Sequence, residues 1–304
     1  MNKKPRLILF VVIIVMSLIL AFYLGVKQVK STLGASFEPL FTVLGTAPKS
    51  VDRLLSRIIP VNDLDEAAIG DALKDKLKEK MVASKYQRYL DSLIAEISRF
   101  KKKPFTYDIF VVAGEPNAFA MPGGVLGITT GLLESLKDEA ALVAVLGHEI
   151  AHVELNHCFD NYRFAAASEK FSGKNFGFIL DRVYLLMTQS SFSKTQETEA
   201  DQYGFNLLKR LQYDPAGSAR SFQAIADYYK SDSPKKKLRP LRRFFRSHPS
   251  AELRISKFDE LAKREFSKNS KRYYVGKKNY QEKVTKFESS FEVEWARGTL
   301  DSEL

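Results

Sequence analysis

A chain of 304 residues, 45% of them hydrophobic and 12% aromatic, carries enough apolar surface to bury a core, which excludes global disorder. Its net charge of +11 raises the question of nucleic acid. The cations, however, lie in short scattered runs (Lys101–Lys103, Lys235–Lys237, Arg242–Arg243) with no nucleic-acid module around them, so they read as a solvated basic face that suits anionic lipid, and no nucleic-acid partner is expected.

The first element is a membrane anchor. Lys3, Lys4 and Arg6 form a basic flank over residues 1–6, and an uncharged run follows from Leu7 to Val26. Twenty residues at ~1.5 Å rise span ~30 Å, the thickness of a hydrocarbon core. No A-x-A-like cleavage site follows, so the segment reads as an uncleaved, single-pass signal anchor, with the basic flank cytoplasmic and the rest of the chain outside. Residues 27–60, interrupted by Gly34, Pro39, Gly45, Pro48 and Pro60, read as a juxtamembrane connection.

From Asp63 to Phe100 apolar residues recur at helical spacing, first at Leu73, Leu77 and Met81, then at Tyr86, Leu90, Leu93, Ile94 and Ile97, which predicts two amphipathic helices. Phe105–Val112 reads as a strand, and Ala118–Thr130 as two short strands around the Pro122-Gly123-Gly124 turn. Ser135-Leu136-Lys137-Asp138 resembles a capping box, predicting a long helix from Ser135 to about Asn156. Further helices are expected at Ile179–Met187, Thr195–Leu211, Pro215–Tyr229 and Pro249–Glu265, with a basic loop over Pro234–Arg246. The catalytic domain is expected to occupy residues 61–265, and residues 266–304 carry no legible role. Cys158 is the single cysteine, which excludes an intramolecular disulfide; it reads as a small packing residue.

His148-Glu149-Ile150-Ala151-His152 carries the chemistry. Four residues advance a helix by about 400°, so both imidazoles lie on one side and can reach one ion. Glu149 projects about 100° further round, where it can serve as the base. Ala140–Leu146 is almost wholly apolar, so the helix is buried on most sides, and its polar groups need a partner there that a metal supplies. A catalytic zinc takes three protein ligands and keeps one open position. Glu197-Thr198-Glu199-Ala200-Asp201 offers the third: Glu197 and Asp201 share a helix face, Glu197 on the metal and Asp201 behind a ligand histidine, while Glu199 is expected to face solvent. His157, five residues past His152 on a continuing helix, should face away from the metal.

The segments VLGHEIAHVELNH, SKTQETEADQYG and YDP, in that order, resemble metallopeptidase family forty-eight, the family of the heat-shock membrane protease HtpX, the CAAX prenyl endopeptidase and the envelope quality-control protease BepA. Asn117–Gly124, Thr130–Leu133, and Ser247-His248-Pro249 with Arg254 add to the resemblance, which covers residues 60–260. It implies an α+β, mostly helical zincin of the gluzincin type with a small β-sheet, one Zn2+ per chain on His148, His152 and Glu197, Glu149 as base and Asp201 behind the ligands. A single anchor is closer to the BepA-like envelope members than to the multi-span ones. His248, in a loop entering a helix, is expected near the metal as an oxyanion donor or latch, and Arg254 joins it as a further candidate. The strand containing Gly124, Val125 and Gly127 is expected to pair with an extended substrate backbone. The activity implied is hydrolysis of misfolded or membrane-associated envelope proteins, with protein or peptide substrates as partners. The alternative is a chaperone-like binding module with a latent or structural zinc site, which an intact Glu149 argues against.

Overall fold

The computed structural model describes residues 63–160, 192–231, 251–268 and 270–296, all within the unit Pro48–Leu304. The expected anchor at 7–26, the connection at 27–60, the helix at Ile179–Met187, the loop at Pro234–Arg246 and His248 lie outside these residues. Among the described residues no helix is long and apolar enough to cross a membrane.

Two helices precede the sheet, as their periodicity predicts: α1 (Asp63–Lys78) and α2 (Gln87–Ile97). The α2 stripe of Tyr89, Leu90, Leu93, Ile94 and Ile97 is buried, which is the i, i+3, i+4 pattern of a helix resting on a core. Met81 departs from its predicted place, because α1 ends three residues earlier and Met81 forms an isolated bridge to Val112.

The sheet has three strands, β1 (Asp108–Val112), β2 (Ala118–Met121) and β3 (Val125–Thr129), in the order β1-β3-β2. β3 runs parallel to β1, pairing Val125 with Asp108 and Gly127 with Phe110. It runs antiparallel to β2, pairing Val125 with Met121 and Gly127 with Phe119. This corrects the expectation that the Gly124, Val125 and Gly127 strand receives substrate: β3 is the central strand, and its backbone groups are taken on both sides. Gly124 lies in the 3-10 turn Pro122–Gly124. Gly127 makes room for the Phe119 ring, whose atoms would stand 2.1–2.6 Å from any Cβ there.

Helices then cover the sheet, beginning with the short α3 (Thr130–Ser135), capped by Thr129. The long helix predicted from Ser135 starts later, as α4 (Glu139–Glu154). Ser135 is spent on α3, its Oγ donating to the Gly131 carbonyl over 2.6 Å. Asp138 is the true cap, extended in backbone and accepting from the Ala141 N–H at 2.8 Å, with its charge at the positive end of the α4 dipole. Arg220 holds the same carboxylate over 2.8 Å. There follow α5 (Lys194–Arg210), begun by a capping box of Ser193 and Gln196, α6 (Gly217–Ser231) and α7 (Ala251–Lys268). The result is the expected mostly helical α+β arrangement, with α4 packed between β2, α5 and α6.

The segment after α7, silent in sequence, closes the start of α4. It forms β4 (Tyr273–Tyr274), α8 (Lys277–Glu282) and β5 (Trp295–Ala296), with β4 and β5 antiparallel. The carbonyls of Gly276 and Val275 accept from the N–H groups of Glu139 and Ala140, which the helix itself leaves without partners. The fully buried Glu139 carboxylate accepts from Tyr89 at 2.7 Å, Tyr213 at 2.5 Å and the Lys286 N–H at 2.9 Å. The Lys286 ammonium donates to the Leu211 carbonyl and lies 3.9 Å from the Tyr213 ring centroid and 5.1–5.7 Å from those of Phe287, Trp295 and Tyr274.

Burial holds the Lys286 pKa down at about 8, against the opposing pull of Glu139. A lysine depressed in the folded state resists folding while charged, and that resistance fades between about pH 8 and its unfolded value. The stability of the wild-type protein relative to Lys286→Met should therefore rise from about pH 8 towards pH 10, measured as the difference in denaturation midpoint at matched ionic strength.

Candidate metal centre

The centre forms where α4 and α5 come closest. At their crossing Gly147 lies against Gly204, and a Cβ on Gly204 would stand 3.1 Å from the His148 nitrogen and 3.3 Å from the Gly147 carbonyl carbon. With no side chain between them the backbones approach, and Glu197, two turns up α5 from Gly204, faces the histidines of α4.

His148 Nε2 and His152 Nε2 are 3.1 Å apart, and the Glu197 oxygens lie 3.5 Å from the first and 3.6 Å from the second. Ligand atoms around a tetrahedral ion with bonds of ~2.0–2.1 Å are separated by ~3.3–3.4 Å, so this triangle has the size of a zinc site. All three residues are buried, and they are the group among the described residues whose donor atoms converge in this way. Two imidazoles and a carboxylate are also a donor set that zinc accepts. Glu149, 2% exposed, lies beside His148 on the wall of a cavity of about 470 Å³ including its mouth. The lining also includes the apolar side chains of Leu132, Phe205, Phe222, Ile225 and Phe258, together with the polar Ser218, Ser221 and Arg254.

Behind the ligands lies a buried ionic group. Asp201 Oδ1 is 3.3 Å from His148 Nδ1. Arg254, reached in sequence only through a resemblance, joins the two acids: its Nη1 donates to Glu197 over 3.0 Å and its Nη2 to Asp201, while its guanidinium stacks on Phe222 at 4.2 Å. Burial alone would raise the Asp201 pKa, but the hydrogen bond to His148 and the charge of Arg254 outweigh it and hold the carboxyl at about 2.

Two expectations are corrected. His157 does not face away: its Nδ1 is 3.0 Å from His152 Nδ1 and its Nε2 3.3 Å from Glu199. The rotation argument assumed a continuous helix, whereas α4 ends at Glu154 and Asn156 turns left-handed at φ 65°, returning His157 to the site. Glu199 is accordingly a partner of His157 rather than a purely solvated acid, with its side chain 38% exposed. An asparagine just beyond a helical run is a stop signal, and Asn156 was the clue to this turn. Phe192, which sequence did not single out, stacks on the His152 ring at 3.7 Å between centroids.

Two histidines one turn apart on a buried helix, a glutamate between them and a carboxylate from the following described helix define a zincin-type metal centre. The model of peptidase family M48 matches residues 81–262, and the chain belongs to that family. It is 33% identical over 155 residues to the mitochondrial metalloendopeptidase OMA1 of Schizosaccharomyces pombe, covering 48% of this chain and 43% of that protein. Over 158 residues it is 31% identical to the metalloprotease LoiP of Escherichia coli, covering 47% and 60% respectively. It is 23% identical over 259 residues to the beta-barrel assembly-enhancing protease of Yersinia pestis, covering 71% and 51%. The chain thus spans about half the length of these relatives.

Replacing Arg254 by methionine keeps bulk against Phe222 but takes the guanidinium from two buried carboxylates, leaving Asp201 only the partly exposed Lys257 at 3.5 Å. The zinc-free variant should lose about 3–5 kcal/mol of stability, read from denaturant unfolding in the presence of a chelator.

Proposed function

We propose that the protein is a membrane-anchored zinc endopeptidase that hydrolyses peptide bonds of misfolded or membrane-associated envelope proteins. The observation that carries this reading is the triangle of His148, His152 and Glu197 with Glu149 buried beside it. Family membership supports it, as do relatives named as a metalloendopeptidase, a metalloprotease and a beta-barrel assembly-enhancing protease. Residues 7–26 are the proposed anchor, residues 61–265 the peptidase domain, and the proposed location is the extracytoplasmic face of the cell membrane.

His148, His152 and Glu197 would hold the ion, and zinc when bound supplies Lewis-acid polarisation and a water acidified towards a pKa of ~7. Glu149 takes the proton of the attacking water and returns it to the departing amine. Arg254 and Asp201 keep Glu197 and His148 oriented. An extended substrate would lie along β2 rather than β3, because β2 packs on α4 and its Ala118 lines the cavity with His148 and Glu149. The apolar side chains lining that cavity favour an apolar side chain next to the scissile bond. His248 remains a proposed oxyanion donor or latch.

Glu149→Gln removes the base and leaves every ligand. It should retain one zinc per chain while casein cleavage falls by about 10²- to 10⁴-fold. A variant that cleaves at the wild-type rate refutes this mechanism, and a wild type with zinc but no cleavage of any protein substrate points to the binding-module alternative.

A further inference from the structure

We propose that His157 is a positioning residue for the zinc ligand His152, fixing its tautomer and ring orientation with Glu199 as the outer anchor. The inference rests on the zinc reading above. His148 and His152 are held differently. His148 Nδ1 faces the Arg254–Asp201 ion pair, with Asp201 Oδ1 at 3.3 Å and Arg254 Nη2 at 3.2 Å. At His152 the Nδ1 meets a second imidazole, His157, at 3.0 Å, and that ring in turn meets Glu199 at 3.3 Å.

Hydrogen-bond capacity orients this row. A carboxylate only accepts, so the His157 nitrogen facing Glu199 carries the proton. The other nitrogen of a neutral His157 is then an acceptor, and His152 must donate to it from Nδ1. That leaves the lone pair of His152 on Nε2, the atom turned towards His148 Nε2 and Glu197. The reverse tautomer would present a proton to the metal position. His157 is 3% exposed, with its ring 5.1 Å from that of His152 between centroids, and Phe192 stacks on His152 at 3.7 Å. His152 is thus restrained both in its plane and about its axis. The left-handed Asn156 delivers His157 to this place, and Lys103 Nζ donates to the Asn156 side chain.

The test compares wild type with His157→Phe, His157→Asn and Glu199→Ala in the full-length chain. Zinc dissociation constants come from competition with a chromogenic chelator, and unfolding midpoints from the zinc-free forms. His157→Phe fills the space without an acceptor and should weaken zinc about 10- to 100-fold. His157→Asn places an amide oxygen near the former Nδ1 and should recover most of that loss, and Glu199→Ala should cost about 3- to 10-fold. In the cobalt-loaded proteins the visible absorption should change with His157→Phe and return towards wild type with His157→Asn. Zinc affinity of His157→Phe within about twofold of wild type overturns the proposal, as does an equal loss in the phenylalanine and asparagine variants. If His157→Phe fails to fold, the half-exposed Glu199 decides: unchanged zinc affinity in Glu199→Ala overturns it. A wild-type chain that binds no zinc defeats the metal reading itself and is seen before any variant is compared.

Discussion

Where α4 and α5 cross, neither helix carries a side chain, and the spacing of the whole centre follows from that contact. Gly147 and Gly204 let two backbones approach to a distance at which even a methyl group on Gly204 would press on the His148 nitrogen. Displacing α5 outward by a few tenths of an ångström would carry Glu197 with it and stretch a triangle whose longest edge is 3.6 Å. The same displacement would loosen Asp201 from His148. The ligand residues supply the chemistry, and the two glycines set the distances at which it operates.

Burying that chemistry is costly, and the arrangement around it shows how the cost is offset. Glu197 and Asp201 are each 5% exposed and stand within a few ångströms of two imidazoles. Arg254 contributes one positive charge to this pair of acids from α7, far away in the chain. Lys257, on the same helix, adds a second positive charge 3.5 Å from Asp201, so these two carboxylates are balanced by two cations, and it is with Glu149 that negative charge comes into excess, which suits a divalent cation. The second buried acid system, at Glu139, is handled by neutral donors, two tyrosine hydroxyls and an amide, and burial accordingly raises the Glu139 pKa.

The parts of the protein legible in sequence are those written locally. The α2 stripe, the hairpin about Pro122–Gly124 and the ligand spacing on α4 each depend on residues within a few turns of one another. What sequence missed depends on pairing or chain reversal. β3 looked available to a substrate because nothing in it records that β1, separated from it by β2, lies along its other side. Asp138 rather than Ser135 opens α4 because Ser135 already belongs to a short preceding helix. His157 was placed by extrapolating a helix that stops at Glu154. Arg254 had no local signature at all; its carboxylate partners are 53 and 57 residues away, and only the resemblance to a family pattern singled it out.

The late segment that closes the start of α4 also bears on how the chain is made. Lys286 reaches Glu139, and Tyr280 reaches the Leu133 carbonyl, each across 147 residues. During synthesis α4 is therefore produced long before the carbonyls that satisfy its first turn and the Lys286 N–H that completes the partners of its buried acid. Contacts of such wide sequence separation close last, because the loop entropy is lost before they form. At ~5–20 residues per second, the roughly 150 residues in between take about seven to thirty seconds to appear. Through that interval the nascent chain carries the ligand helix with the Glu139 carboxylate lacking its Lys286 N–H donor, so the start of α4 is closed only after residue 286 has been made.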